Sequence, residues 1–248
     1  MITVNNILEL LKEKYPLDTA CDFDNVGLLV GNKHTIVNKA VVCLDCDIKT
    51  IDYAKSIGAE LIVTHHPVIF GGIKSVLKGD VVFEAIANDI SVISMHTNLD
   101  IAVGGVTEKL CEAIGLKNVK PFVSHSGFMI REAECDIHNA EKLAAHIKEK
   151  LCGAVRYVDS KKDICRVLVC SGSGGEFLTD VISGGYDALI SADIKHNVFI
   201  DAINSGVAVF DAGHYQSENV IVKPLCELLS ISFSDVHFEC YNNDIKFI

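Results

Sequence analysis

The chain has 248 residues, 49% of them hydrophobic and 22% charged, which allows one large or two small packed cores and argues against disorder. Its 22 Lys and Arg stand against 33 Asp and Glu, a formal charge of −11 that repels a phosphate backbone and disfavours general nucleic-acid binding. No apolar run approaches the ~18 residues of a membrane span. The first residues, MITVNNILELLKEKYP, mix acidic and basic side chains and lack the cationic-then-apolar order of a secretion signal, so the chain reads as cytoplasmic.

Helical spacing begins at Thr3–Lys14 and recurs at Ile48–Ile57, Gly79–Asn88 and Val106–Ile114. Between these stretches lie short β-branched runs, AVVCL (40–44), LIVT (61–64) and SVISM (91–95). Apolar runs of this length, separated by helices, indicate strands buried on both faces of a sheet. Around Pro121 the texture changes, and FVSHSGFMIREAE (122–134) alternates like a strand opening a second unit. His138–Leu151 has helical spacing, and VRYVD (155–159) and ICRVLVC (164–170) read as strands. The Gly-rich SGSGGE (171–176) reads as a strand-to-helix turn; it lacks the Lys-Ser/Thr ending of a P-loop and the spacing of a dinucleotide fingerprint. A helix near Phe177–Ser183, the strand ALIS (188–191) and a helix over Asp193–Asn204 follow. VAVFDA (207–212) is the last buried strand, Ser217–Leu229 the last helix, and SFSDVHFEC (232–240) an edge strand.

The fold class is therefore α/β, with sheets flanked by helices. The change of pattern suggests two domains: 1–121 with 208–248, carrying the metal ligands, and 122–207.

Ten cysteines are many, but most sit inside apolar runs, where a free thiol behaves as a small hydrophobe. Cys43 and Cys46 form one C-x-x-C with no second pair, which leaves a zinc knuckle unsupported and a redox role open.

Three apolar strands run into potential ligands. LIVT leads to His65-His66-Pro67, SVISM to His96 and Asp100, and VAVFDA to Gly213-His214 with Glu218 four residues on. In open α/β sheets, ligands gather beyond the carboxyl ends of the strands. His214 and Glu218 are i,i+4 and share a face if a helix starts near Gly213. His65 and His66 are neighbours at a strand end, so each imidazole can serve one of two adjacent ions, and Asp100 offers two oxygens for a bridge. Imidazole with carboxylate favours a divalent ion such as zinc, iron, manganese or nickel. Three His and two carboxylates exceed what an open single-ion site uses and suit two ions. His96 beside this set reads as a ligand, a brace for the ligands or a strand-end packing residue, with the brace preferred. His34, His125, His138, His146 and His237 read as surface or hydrogen-bonded residues.

The stretches DFDNVGLLVG (22–31), ELIVTHHPVIF (60–70), MHTNLDIAVGG (95–105) and AGHYQSE (212–218) resemble the GTP cyclohydrolase I type 2 family, also described as Nif-three-like. The resemblance runs in order from near the N-terminus to Glu218. It implies that His65, His66, Asp100, His214 and Glu218 bind two metal ions. It also implies two interlinked α/β domains and a toroidal homohexamer. The chain departs from the pattern at Phe23, where members usually carry Trp and where an aromatic kept for packing is expected. It departs again at Asn197, where a second His is common, beside Lys195 and His196, which are placed to contact phosphates.

Together these features predict a metal-dependent hydrolase whose activated water attacks a purine nucleotide, with His96 donating a proton to the departing nitrogen. Two rivals stand beside it: a two-metal phosphoesterase acting on a nucleotide or other phosphorylated small molecule, and a non-enzymatic metal-insertion, storage or regulatory protein.

Overall fold

The structure, a computed structural model, describes residues 1–243. In chain order the first elements are α1 (Val4–Lys14), β1 (Gly27–Val30), β2 (Lys39–Cys43), α2 (Ile48–Ile57), β3 (Leu61–Thr64), α3 (Val81–Ala87), β4 (Ser91–Ser94) and α4 (Thr97–Ile101). Then come α5 (Val106–Ala113), β5 (Lys117–Val123), β6 (Met129–Glu134), α6 (Ala140–Leu151), β7 (Arg156–Val158), β8 (Arg166–Ser173), α7 (Leu178–Gly184), β9 (Ala188–Ala192), α8 (His196–Ser205), β10 (Ala208–Asp211) and α9 (His214–Glu218). The last two are α10 (Val222–Ser232) and β11 (His237–Tyr241). No helix among the described residues is long and apolar enough to cross a membrane.

These elements form an α/β fold with two mixed sheets, one in each of two compact units. The first unit is Met1–Ala102 with the described residues from Ile221 onward, and the second is Val103–Val220. The pattern change at Pro121 falls inside β5, which already pairs with β6 in the second sheet. β10 pairs with β9 and β7 there as well, so His214 and Glu218 follow a strand of the second unit rather than the first. Pairing therefore sets the division at 102/103 and 220/221, where the sequence pattern suggests 121/122 and 207/208.

The first sheet has the order β1-β4-β3-β2-β11, with β4, β3, β2 and β11 parallel and β1 antiparallel at one edge. Its parallel strands are apolar because both faces are covered. Val41, Ile62 and Val92 pack with Ile51 and Ala54 of α2 and Ala85 of α3. The tail strand β11 takes the edge beside β2, as the sequence predicts. The strand β1, inside the DFDNVGLLVG stretch, was not separable from a loop in the sequence.

The second sheet has the order β5-β6-β8-β9-β10-β7, with a parallel centre of β8, β9 and β10. Side-chain alternation divides these strands between two cores. Val167, Val169, Ala188, Ile190, Ala208 and Phe210 face α5 and α6. Leu168, Leu189 and Val209 face Leu178 and Val181 of α7 and Ala202 of α8. The single strand expected over 122–134 is instead the hairpin of β5 and β6, closed by Ser124 N–H donating to the Phe128 carbonyl at 2.9 Å. The helix expected over Ser217–Leu229 is the short α9, a 3-10 turn (Asn219–Ile221) and α10.

All ten cysteines are free thiols. Burial pushes the Cys43 thiol well above its usual range. Burial, and then the charges of Asp47 and Asp45, push Cys46 up to about 12. These shifts favour the neutral thiol in both residues and slow attack on a disulfide.

Candidate metal centre

In the first unit, parallel pairing sets the carboxyl ends of three strands side by side. Cys43 of β2 is in register with Thr64 of β3, and Thr64 with Ser94 of β4. The residues just past those ends are Asp45, then His65 and His66, then His96. Antiparallel β1 begins opposite Ser94, so the loop before it, with Asp24, lies at the same rim.

Each imidazole there is anchored through Nδ1. His65 Nδ1 faces the Met95 carbonyl at 2.9 Å, His66 Nδ1 faces Asp45 Oδ1 at 2.7 Å, and His96 Nδ1 faces Asp24 Oδ1 at 2.8 Å. A carbonyl or carboxylate at that distance takes a proton from Nδ1, which leaves the lone pair on Nε2. Asp24 also accepts from the backbone amide of Thr97 at 3.0 Å and from its hydroxyl. Burial raises the Asp24 pKa, but the bonds from His96 and Thr97 outweigh it and hold this carboxyl well below its usual range. The loop carrying Asp45 is fixed in turn, with Thr50 Oγ1 donating to the Asp45 carbonyl at 3.1 Å and Asp47 capping α2 through the Thr50 amide at 2.8 Å.

The three rings converge. Their centroids are 4.9 Å apart for His65 and His66, 5.2 Å for His65 and His96, and 5.6 Å for His66 and His96. Their ligand-capable nitrogens lie within 4.8 Å of one another. Asp100 on α4 is buried and brings Oδ1 to 3.7 Å from His65 Nε2. That is too long for a hydrogen bond, but two donors each about 2.1 Å from a tetrahedral ion stand about 3.4 Å apart. Imidazole nitrogens gathered this closely suit a shared cation. The donor set fits a divalent metal.

In the second unit the same construction recurs. Parallel β8, β9 and β10 end at Ser173, Ala192 and Asp211, with Asp193 directly after β9 and His214 three residues after β10. The short helix α9 starts directly after Gly213, so His214 and Glu218 do share a face, with His214 Nε2 3.0 Å from Glu218 Oε2. Asp193 Oδ2 anchors His214 Nδ1 at 2.8 Å. Buried Asp211 shapes the turn before the helix, accepting from the amides of Ile194 and Gly213, both at 3.1 Å, and from Arg156. The hydrogen bond to Glu218 leads the causes that raise His214 to about 9, against the lowering effect of burial, with the Glu218 charge and Asp193 adding to the rise. An imidazole that holds a proton between two carboxylates marks a position built for positive charge, and this pair too fits a metal.

The Gly-rich segment has its explanation here. Strand β8 continues through Gly172, whose φ is +60° and whose absent Cβ would lie 2.1 Å from Glu218 Oε1. The glycine makes room for the carboxylate.

The structure thus groups His65, His66, His96 and Asp100 in one unit and pairs His214 with Glu218 in the other. Sequence reasoning assigned no role to Asp24, Asp45 and Asp193. Asp45 ends a buried strand in the same way as His65, and that signal was available. Phe23 is two-thirds exposed, so it does not serve core packing.

The chain is 31% identical over 252 residues to a GTP cyclohydrolase 1 type 2 homolog of Clostridium perfringens, covering 95% of this chain and 94% of that protein. It is 30% identical to the homolog of the same description in Streptomyces coelicolor, covering 95% and 87%. Among solved structures, a Staphylococcus aureus protein superposes with a TM-score of 0.90 at 28% identity, covering 100% of this chain and 99% of the other. Reduced HcgD from Methanocaldococcus jannaschii gives 0.85 at 29% identity, covering 98% of each. The model of one family, Duf34/NIF3 (NGG1p interacting factor 3), matches residues 2–246, and the chain belongs to that family.

Proposed function

We propose that the protein is a dinuclear-metal-dependent hydrolase acting on a purine nucleotide in the manner of a GTP cyclohydrolase. His65, His66, Asp100, His214 and Glu218 would hold two divalent ions, zinc, iron, manganese or nickel, and Asp100, with two carboxylate oxygens, would be the residue shared between them. The observation that carries this reading is the anchoring: His65, His66, His96 and His214 each spend Nδ1 on an oxygen, three of the four on a carboxylate, which is how metal-binding imidazoles are oriented. The names of the relatives support the choice of reaction.

When bound, the ions supply an activated water and polarise the bond under attack. The chain supplies the rest. Asp45 and Asp193 hold His66 and His214 by Nδ1, so that Nε2 would be the nitrogen offered to an ion. Asp24 holds His96 by Nδ1 in the imidazole cluster, and the opposite nitrogen, Nε2, would take up a proton from water and pass it to the departing ring nitrogen. Lys195 and His196, both exposed where α8 begins, serve the phosphates. The assembly is a homohexamer in the cytoplasm, and sedimentation equilibrium checks its size.

Metal-loaded protein incubated with GTP should give a product of purine ring opening by mass spectrometry. Release of inorganic phosphate with an intact purine would replace this reading with a phosphoesterase, and no turnover with any nucleotide would point to a metal carrier. Asp100→Ala should lose paired metal by elemental analysis, and retention of two ions would remove the bridge.

A further inference from the structure

Two phenylalanines stand in solvent beside the imidazole cluster of the first unit, Phe23 at 66% exposure and Phe70 at 64%. Their rings meet edge to face, with centroids 6.3 Å apart at 62°. Phe70 in turn meets His96 at 6.1 Å and 81°. An apolar ring left in water normally sits on a segment that can turn it inward. Here the backbone under both rings is pinned. Asn25 Nδ2 donates to the Ile69 carbonyl at 2.9 Å and ties the two loops together. Next to Phe23, Asp24 is locked by His96 and Thr97, and the Cys21 amide donates to Thr97 Oγ1 at 3.0 Å. Next to Phe70, the chain runs from His66 through Pro67, where the proline ring limits the backbone. The hydrogen bonds that aim His96 also fix the backbone beside Phe23, and the Asn25 bond fixes the residue before Phe70.

We propose that Phe70, backed by Phe23, is the base-stacking platform of the site, receiving the flat face of a purine whose five-membered ring reaches the ions. The inference rests on the nucleotide reading above and deepens it by naming the residues that recognise the base. A flat heteroaromatic ring suits the surface because it covers an aromatic face while its polar edge stays near the imidazoles. A phosphate or an aliphatic ester gains nothing from these rings. Base-on-aromatic stacking tolerates any base, so the platform sets affinity for the ring and leaves discrimination among purines to other groups.

The chain contains no tryptophan, so Phe70→Trp introduces a single reporter. In the metal-loaded variant, GTP should quench its emission saturably and inorganic tripolyphosphate should not. By titration calorimetry, Phe70→Ala should bind GTP about ten-fold more weakly than wild type, the size of one base–aromatic stack. Tripolyphosphate should bind both proteins alike, and Phe70→Trp should restore GTP binding. Because the rings are exposed, melting temperatures should stay at the wild-type value. The proposal falls if GTP affinity is unchanged in both Phe70→Ala and Phe23→Ala, or if both ligands weaken equally. It also falls if sedimentation shows that the substitutions change the assembly, since the rings would then be covered by a second copy of the chain. Wild-type protein that binds no GTP overturns the nucleotide reading itself, a result distinct from normal GTP binding that ignores Phe70.

Discussion

Replacing Gly172 by Ala probes a place where the backbone of a strand is shaped around a candidate ligand, Glu218. The added Cβ would lie 2.1 Å from Glu218 Oε1 and 3.2 Å from its carboxyl carbon. Ordinary carbon–oxygen contact needs about 3.3 Å, so the carboxylate must retreat by about 1 Å. It has little room to do so, because Glu218 is buried on α9 and Ser217 Oγ of that helix accepts from the Gly172 amide at 3.1 Å. The left-handed backbone, φ +60°, adds about 1–2 kcal/mol for a residue with a Cβ. Overpacking adds a further 1 kcal/mol or more, for a total of about 2–4 kcal/mol. For a chain of this length each kcal/mol lowers the melting temperature by about 2–4 °C, so a fall of roughly 5–15 °C is expected. Gly185 provides the control, with φ +65° and nothing within 4 Å of the position a Cβ would take. Gly185→Ala should show the backbone cost alone and bind metal as wild type does. Gly172→Ala should bind metal at least about ten-fold more weakly in competition with a chelator, since displaced ligand geometry carries penalties of that order. Equal melting losses in the two variants, with metal affinity intact in both, would refute the claim that Gly172 positions Glu218.

In metal-free protein, protonated His214 favours the folded state because its pKa rises from 6.5 to about 9. That contribution is complete below pH 6.5 and fades as the pH climbs through 9, so melting temperature in chelator should decline over that window and His214→Gln should flatten the decline. The proton also competes with metal, so affinity should strengthen as the pH rises toward 9, with proton release measurable by calorimetry in buffers of different ionisation enthalpy. Arg131, fully buried on β6, donates through Nε to Glu108 at 2.8 Å, and Arg131→Ala should cost about 3 kcal/mol by denaturant unfolding because it removes a large buried side chain and breaks its ion pair. Exposed Cys152, Cys165 and Cys240 should react with a thiol reagent at neutral pH well before Cys43 and Cys46, and rapid labelling of the C-x-x-C pair would contradict its elevated pKa values.

Much of the fold was legible because both sheets have parallel centres. Strands buried on two faces must be apolar throughout, so LIVT and ALIS declared themselves without alternation. Helix α2 was legible to the residue, since Asp47 caps it and Gly58 ends it. The hairpin of β5 and β6 was missed although Ser124–Gly127 interrupts the apolar alternation with a Gly-containing turn, a signal that was available. Assignment of VAVFDA to a sheet was beyond the pattern. A buried parallel strand shows the same composition whichever sheet it joins, and only pairing decides.

The ligand side chains were readable for a local reason and their braces unreadable for a non-local one. A strand-end His announces itself within its own segment, but the carboxylate that turns it comes from the strand beside it. Asp45 follows β2 and serves His66 after β3. Asp193 follows β9 and serves His214 after β10. Asp24 precedes antiparallel β1 and serves His96 after β4. Three braces in two sheets obey one rule, and the rule needs the strand order before it can be applied. It has a physical basis: adjacent strands stand about 4.8 Å apart, the reach of a short Asp side chain to an imidazole. A Glu at any of these positions would overshoot by a methylene. Asp45→Glu and Asp193→Glu should therefore weaken metal binding although the charge is kept, and Asp→Asn at the same positions should weaken it less than Asp→Ala, because the amide oxygen still accepts from Nδ1 and holds the ring.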